Sequence, residues 1–134
     1  MNGVFTSRYT VTIGDINYGG HLGNERALVI FQDARIRYLQ SLGLSEKDIG
    51  GGVGIVVVES GCRYLRQIFL HDELSVKVAV EPPEGKKFTL KYEVMRKGDD
   101  EKVLTGFTVI LAYNYALTRV VVVPDEFKKR CEGG

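Results

Sequence analysis

The residues best suited to chemistry lie in one short stretch, which runs from Asp15 to Glu25 and precedes a helical pattern. It holds a carboxylate at Asp15, a carboxamide at Asn17 and an imidazole at His21. Four glycines among residues 14–24 exclude a regular element and let another molecule approach the backbone closely. Because the first N–H groups of a helix have no partner within it, they are suited to a negatively charged oxygen. The stretch is therefore a candidate site for proton transfer beside an oxyanion.

A long helix is predicted to follow this stretch and to position it. Asn24 is predicted to be the N-cap, and Glu25 lies in the first turn, where the helix dipole favours a negative charge. Gly43 fits the C′ position that ends such a helix. Between these ends, apolar residues recur at spacings of three and four, which places them on one face. They are Ala27, Leu28, Phe31, Ala34, Tyr38, Leu39 and Leu42.

Strand patterns account for most of the remaining chain. One strand precedes the candidate site, and four or five follow the helix with only short turns between them. Because parallel strands would need crossover helices, we predict an α+β fold in a single domain, residues 1–134, with a curved antiparallel sheet wrapped around the one long helix. One helix cannot cover such a sheet and its edges, so we expect a homodimer or homotetramer. The predicted strands are residues 5–13, 54–69, 73–81, 87–97, 102–115 and 119–123.

The composition of the chain argues against several classes of function. A net charge of +1 provides no strongly cationic surface, so nucleic acid is not an expected partner. No apolar run is long enough to cross a bilayer or to form a signal peptide, so we expect no membrane partner. Cys62 and Cys131 show neither a disulfide framework nor metal-ligand spacing with His21 or His71. We therefore expect a cytoplasmic protein with reduced thiols and without a metal.

The layout and several short segments resemble the hotdog-fold thioesterases, in particular the 4-hydroxybenzoyl-CoA thioesterase-like group. Members of that group typically show an Asp-x-Asp-x-x-Gly pattern before the long helix, and residues 15–20 read DINYGG here. The segment HLGN at residues 21–24 is similar to the His-Val-Asn-Asn segment of plant acyl carrier protein thioesterases, and CRYLR at residues 62–66 is similar to the strand after the helix. The resemblance implies a hotdog fold and the hydrolysis of an acyl or aroyl thioester of coenzyme A, with no metal or redox cofactor.

One position departs from the family's pattern. The second Asp of the pattern, thought to act as nucleophile or general base, corresponds to Asn17. Because a carboxamide takes up no proton near neutral pH, either Asn17 only orients a water or the thioester, or another residue acts as the base. Glu59 is the first choice for that base, because a carboxylate beside Val56, Val57 and Val58 is costly unless it is paired or functional. Asp15 is the second choice, and His21 is the third.

The remaining candidates would hold the substrate. Gly20, Gly23, Asn24 and Glu25 surround the predicted helix start and are expected to bind the oxyanion and the thioester. The phosphates of coenzyme A are expected to meet two cationic side chains, Arg63 and Arg66.

Each assignment has a structural alternative. Glu59 could lie on an exposed face of the sheet or pair with Arg63. Asp15 could cap its own loop by bonding to the backbone, and His21 could fix that loop without taking part in chemistry. Arg66, like most arginines on strands, could simply be solvated.

Two other functions fit the same resemblance. A hotdog-fold enoyl-CoA hydratase or dehydratase would use an Asp/His pair, and His21 precedes the predicted helix, although no matching hydratase signature is evident. A non-catalytic acyl-CoA-binding module would keep the fold without the acid, which the carboxamide at Asn17 suggests.

Overall fold

The computed structural model describes residues 4–133, which form a six-stranded sheet and two helices. The predicted elements are confirmed, with ends that shift by a few residues. The long helix is α1 (Arg26–Ser41), the terminal helix is α2 (Asp125–Gly133), and a single 3-10 turn spans Ile13–Asp15. The strands are β1 (Val4–Thr10), β2 (Gly54–Tyr64), β3 (Glu73–Val80), β4 (Lys87–Arg96), β5 (Lys102–Asn114) and β6 (Arg119–Val120).

The sheet is antiparallel throughout, and its order is β1-β3-β4-β5-β2, with β6 on β5. Strand β2 follows the helix in the chain but lies at the edge of the sheet, beyond β5. One side of this 11-residue strand therefore has no strand beside it among residues 4–133. Such an edge presents unpaired backbone groups, which proteins usually cover.

The ends of α1 differ in how well the sequence predicted them. The prediction that Asn24 is the N-cap is wrong, because the helix begins at Arg26 and Glu25 precedes it without a side-chain cap. The Arg26 N–H donates to the Gly23 carbonyl at 3.0 Å, so a turn starting at Gly23 replaces the predicted cap. The prediction for Gly43 is confirmed: its φ is 74°. Its N–H and that of Leu44 close the helix by donating to carbonyls of the last turn.

Helix α1 packs against the inner face of the sheet through the predicted apolar positions. The Phe31 ring stacks on Tyr92 of β4 with centroids 4.4 Å apart, and it covers Gly106 of β5 so closely that a Cβ there would lie 2.3 Å away. Leu28 is 42% exposed whereas Ile30 is fully buried, so the buried face of the helix is rotated slightly from the one that the spacing predicted. Arg35 is buried on this face, although no apolar pattern includes it.

A β-bulge in β2 sets which of its side chains face the helix. The pairing with β5 shifts by one residue between Val57 and Glu59, which leaves Val58 as the extra residue. Beyond the bulge, Cys62 lies opposite Gly106 and therefore shares the inner face with Tyr64. Val57 is 42% exposed and Tyr64 is 40% exposed, although both lie on this inner face. The helix thus leaves an open groove beside β2, which we call the α1–β2 groove.

Candidate active site at the start of helix α1

The segment before the helix folds into a tight turn. Ile16 and Leu22 form an isolated antiparallel bridge, and the Asn17 N–H donates to the His21 carbonyl at 3.0 Å. The Asn17 Oδ1 accepts the Gly19 N–H at 2.9 Å, so the oxygen of the carboxamide is used within the turn. Gly20 is exposed at the tip with a φ of 82°. The NH₂ group of Asn17 donates to no acceptor among residues 4–133 and is the part of this side chain available to a ligand.

His21 lies beside Asn17, and Gly19 makes room for both. A Cβ at residue 19 would lie 3.0 Å from His21 Nε2 and 3.3 Å from Asn17 Oδ1. Any larger residue at this position would push the two side chains apart. The structure therefore brings together two of the predicted candidates, an imidazole and a carboxamide, at the rim of the helix start.

Asp15 is buried behind the turn and accepts several hydrogen bonds. Its carboxylate accepts the Tyr9 hydroxyl at 2.9 Å, the Thr12 N–H at 2.9 Å and the Arg26 Nε–H at 2.9 Å. Burial alone would raise the pKa of Asp15, but the bonds from Thr12, Tyr9 and Arg26 outweigh it and lower that pKa. A carboxylate held in this way is a poor proton acceptor, and the geometry favours the structural alternative for Asp15.

The start of α1 offers two backbone donors. The Gly23 N–H is not one of them, because it donates to the Asp15 carbonyl at 2.9 Å. The N–H groups of Asn24 and Glu25, which precede the helix, have no acceptor within the described part of the chain. Together with the positive end of the helix dipole, they form the kind of site that holds a developing oxyanion.

Tyr64 is a functional candidate that the sequence alone did not single out. Its hydroxyl donates to the Asn24 carbonyl at 2.5 Å, and the same peptide group carries the Glu25 N–H. Burial raises the pKa of Tyr64, and Cys62 and Glu25 raise it further, so the hydroxyl stays protonated and remains a donor. A hydrogen bond to the carbonyl of a peptide group polarises its N–H, which makes the Glu25 N–H a stronger donor.

Glu25 places a carboxylate next to these donors. Its side chain folds back over Gly23, where a Cβ would lie 3.0 Å from Oε1. Its charge also contributes to the raised pKa of Tyr64, so the carboxylate and the hydroxyl lie in the same region of the site. A larger residue at position 23 would require the Glu25 carboxylate to shift.

His21, Asn24 and Tyr64 border a cleft of about 450 Å³. Arg66 lies on its wall, and the only carboxylate near the guanidinium within residues 4–133 is that of Glu101, 3.9 Å away. Such an exposed pair contributes little and leaves Arg66 available to an anion. The residues that line the cleft are His21, Leu22, Asn24, Tyr64, Leu65, Arg66, Gln67 and Ile68.

Two predicted candidates, Glu59 and Arg63, lie on the opposite face of the sheet from this cleft. Glu59 is exposed and pairs with Val109 on the outer face of the sheet, so the burial expected for it is not found in a single subunit. Arg63 also lies on the outer face, beside Lys91 and Phe107. Neither side chain can reach the helix start of its own subunit, because the sheet separates them.

Among residues 4–133, no three His, Cys, Asp or Glu side chains converge in the way a metal ion would require. Within the same residues, neither α1 nor α2 has the length and hydrophobicity needed to cross a bilayer.

Comparison with known proteins identifies the family. The sequence profile of the thioesterase-like superfamily matches residues 11–131. The chain belongs to this superfamily. Over 125 residues, which are 93% of this chain and 83% of the relative, it is 25% identical to the uncharacterized protein YsmA of Bacillus subtilis. Over 111 residues it is 26% identical to the L-carnitine dehydrogenase/betainyl-CoA thioesterase of Agrobacterium fabrum. The matched region is 83% of this chain but only 23% of that longer protein.

Solved structures of thioesterases have the same fold. A 1,4-dihydroxy-2-naphthoyl-CoA thioesterase from Synechocystis superposes with a TM-score of 0.87 at 18% identity, over 96% of both chains. A Staphylococcus aureus protein solved in complex with CoA superposes with a TM-score of 0.85 at 23% identity, over 97% of this chain and 82% of that one. The hotdog fold predicted from the sequence is therefore confirmed for this member of the thioesterase-like superfamily.

The Asp15 network leads to a stability prediction. Replacing Asp15 with Asn should lower the free energy of unfolding by about 1–3 kcal/mol at neutral pH, because Tyr9 and Arg26 lose a charged acceptor. The pKa of Asp15 in the folded protein lies below its ordinary value of 3.8. The stability that the charged Asp15 contributes is therefore fully present above pH 3.8 and is lost as the pH falls through the folded pKa. Urea unfolding from neutral to acidic pH should show the difference from the wild type shrinking in acid.

The matched control is Asp33→Asn, which removes a carboxylate paired with Arg37 on the exposed side of α1. It should change stability by no more than about 0.5 kcal/mol. If the free energy of unfolding of the Asp15 variant were lower than that of the wild type by the same amount at every pH, the proposed charge network would be contradicted.

Proposed function

We propose that this chain hydrolyses acyl-CoA thioesters to the free acid and coenzyme A, with the thioester carbonyl bound at the start of α1. The observation that carries this proposal is the pair of unpartnered N–H groups at Asn24 and Glu25, which lie beside an open cleft in a chain of the thioesterase-like superfamily. The relatives add support, because they include thioesterases of 1,4-dihydroxy-2-naphthoyl-CoA and betainyl-CoA and a protein solved in complex with CoA.

The two N–H groups would stabilise the oxyanion that forms when water attacks the carbonyl. Each donor of this kind typically contributes about 3–4 kcal/mol to the transition state. Tyr64 would act as a positioning residue, because it fixes and polarises the peptide group between Asn24 and Glu25. Asn17 and His21 would hold the thioester or the attacking water from the rim, and Gly20 would let the substrate pass close to the turn.

Glu25 is our candidate for the general base. Its carboxylate lies beside the oxyanion donors of its own subunit, where a water between it and the carbonyl could transfer a proton. Glu59 remains a candidate only across a subunit interface, because it faces away from the helix start of its own subunit. Asp15 is better suited to holding Arg26 and the loop than to taking up a proton.

Arg66 is our candidate for the phosphates of coenzyme A, since it borders the cleft and is more than half exposed. Arg63 could take part only if the nucleotide crosses the edge of the sheet or if a second subunit brings it near. A planar guanidinium suits either position, because it can donate two parallel hydrogen bonds to a phosphate.

We further propose that two copies associate through the free edge of β2, as a homodimer or as the building block of a homotetramer. Val58, the bulge residue of this strand, is 51% exposed, and a second strand would cover it together with the unpaired backbone groups. Sedimentation of the purified protein should give a mass of two or four chains.

The cytoplasm remains the proposed location, because Cys62 and Cys131 are both free thiols.

The direct test of the proposed function is a thiol-release assay with short, medium and aromatic acyl-CoAs. We expect turnover with at least one class of acyl group, without added metal. Absence of turnover across the panel would contradict the proposal. In that case, hydration of crotonyl-CoA would support the hydratase alternative. Tight acyl-CoA binding in calorimetry would support the non-catalytic module.

The identity of the base can be tested with two matched variants. Glu25→Gln should lower kcat about 10²- to 10⁴-fold, which is the usual contribution of a general base, whereas Glu59→Gln should leave it nearly unchanged. Both changes keep the size of the side chain and remove only its charge. The opposite result would move the base to Glu59 of a second subunit, and equal losses would mean that both carboxylates take part.

Replacing Tyr64 with Phe tests the polarised peptide group. We expect kcat to fall about 10- to 100-fold while KM changes little, because the lost hydrogen bond matters most when charge develops on the oxygen. The control is Tyr113→Phe, which removes a hydroxyl on the outer face that has no hydrogen bond within residues 4–133. A rise in KM at unchanged kcat in the Tyr64 variant would assign this side chain to substrate binding instead.

A further inference from the structure

A second cavity, of about 590 Å³, lies at the other end of the α1–β2 groove from the helix start. One wall is the inner face of β2 at Ile55 and Val57, and the other is the middle of α1. The loop between helix and strand closes the end. The lining residues are Gln32, Arg35, Glu46, Lys47, Gly52, Ile55, Val57 and Tyr115.

Arg35 is the unusual member of this lining. Its side chain is only 7% exposed, on the helix face that otherwise packs against the sheet. Its Nε–H donates to Glu46 at 2.7 Å and its Nη1–H donates to the Tyr92 hydroxyl at 3.4 Å. Its Nη2 has no acceptor within the described residues. A guanidinium that is largely buried normally has acceptors for its N–H groups, and Nη2 is not sealed from solvent, so water or an anion that enters the cavity can accept its hydrogen bond.

The charges around the cavity favour an anion as that acceptor. Arg35 and Lys47 contribute two positive charges and Glu46 contributes one negative charge, which leaves one positive charge unbalanced. The guanidinium stays protonated: burial lowers the pKa of Arg35, but the Tyr92 hydroxyl and the Glu46 carboxylate outweigh that effect. Ile55 and Val57 add an apolar wall to this charged end. A carboxylate at the end of an apolar chain or ring fits such a lining.

We propose that this cavity binds the far end of the acyl group and selects acyl-CoAs whose acyl chain or ring ends in a carboxylate. The inference rests on the proposed function, since it takes the thioester to be held at the helix start. At 1.5 Å per residue, α1 places the backbone of Arg35 about 15 Å from that of Glu25. An extended acyl group lying in the groove spans this distance.

The test compares pairs of acyl-CoAs that have the same chain length and end either in a carboxylate or in a methyl group. The wild-type kcat/KM should favour the carboxylate member about 10- to 100-fold at the lengths that reach Arg35, which is the range for a hydrogen bond to a charged group. An acyl group that ends in a quaternary ammonium should be the poorest substrate. Equal rates for the carboxylate and methyl members at every length would overturn the inference.

Variants assign the preference to the side chains. Arg35→Gln should abolish the preference for the carboxylate, whereas Arg37→Gln, which changes an exposed arginine on the same helix, should retain it. Glu46→Gln should increase the preference, because it removes the anion that competes for the guanidinium. If the Arg35 variant does not fold, the Glu46 and wild-type results decide: an unchanged preference in Glu46→Gln would overturn the inference.

Binding measurements separate this inference from the proposed function. Thioether analogues, which cannot be hydrolysed, should bind more tightly with a carboxylate end than with a methyl end, and Glu46→Gln should widen the difference. Hydrolysis without any carboxylate preference would refute the cavity assignment and leave the thioesterase activity standing. A carboxylate preference in binding, without hydrolysis of any acyl-CoA, would refute the thioesterase activity and leave the cavity assignment standing.

Discussion

One helix of 16 residues cannot cover the inner face of a sheet of six strands, and most features of this molecule follow from that constraint. Helix α1 packs over the middle of the sheet, where Phe31 stacks on Tyr92, and it leaves the inner face of β2 open. The open face creates the α1–β2 groove, with the helix start at one end and Arg35 at the other. The strand order also leaves β2 as a free edge, which is why a second subunit is expected there.

The start of α1 can bind a ligand because hydrogen bonds within the chain already satisfy most of the other polar groups around it. The Gly23 N–H is taken by Asp15, and the Asp15 carboxylate is taken by Tyr9, Thr12 and Arg26. Besides the NH₂ group of Asn17, what remains is the pair of N–H groups at Asn24 and Glu25, already ordered before a substrate arrives. Donors that are fixed in place need no reorganisation when charge develops, which is where such sites gain most of their effect.

Local patterns in the sequence predicted most of the fold. The spacing of apolar residues identified α1, and the alternation in residues 87–97 identified β4, because both depend on neighbours in the chain. The cap at Asn24 was wrong by one residue, since the turn from Gly23 to Arg26 is set by a contact with Asp15. Residue identity does not reveal such a contact.

The site was less predictable than the fold, because its parts meet across the sheet. The bulge at Val58 shifts the register of β2 and decides that Cys62 and Tyr64 face the helix while Glu59 faces away. Tyr64 lies in the CRYLR segment that resembles the family, yet its role depends on a bond to Asn24, which is 40 residues away in the chain. The role of Arg35 could not be predicted from the sequence for the same reason, since its partners come from a loop and from β4.

The carboxamide at Asn17 fits the charges of this helix start better than the family's acid would. Asp15 and Glu25 already place two carboxylates near the turn, and a third at residue 17 would add repulsion against an oxyanion forming at the same N–H groups. An amide instead keeps an acceptor for the Gly19 N–H and gains an NH₂ donor that can face a carbonyl or a water. If Glu25 is the base, as proposed, the proton acceptor would lie at the first residue before the helix rather than in the turn, and Asn17 would serve to orient the substrate.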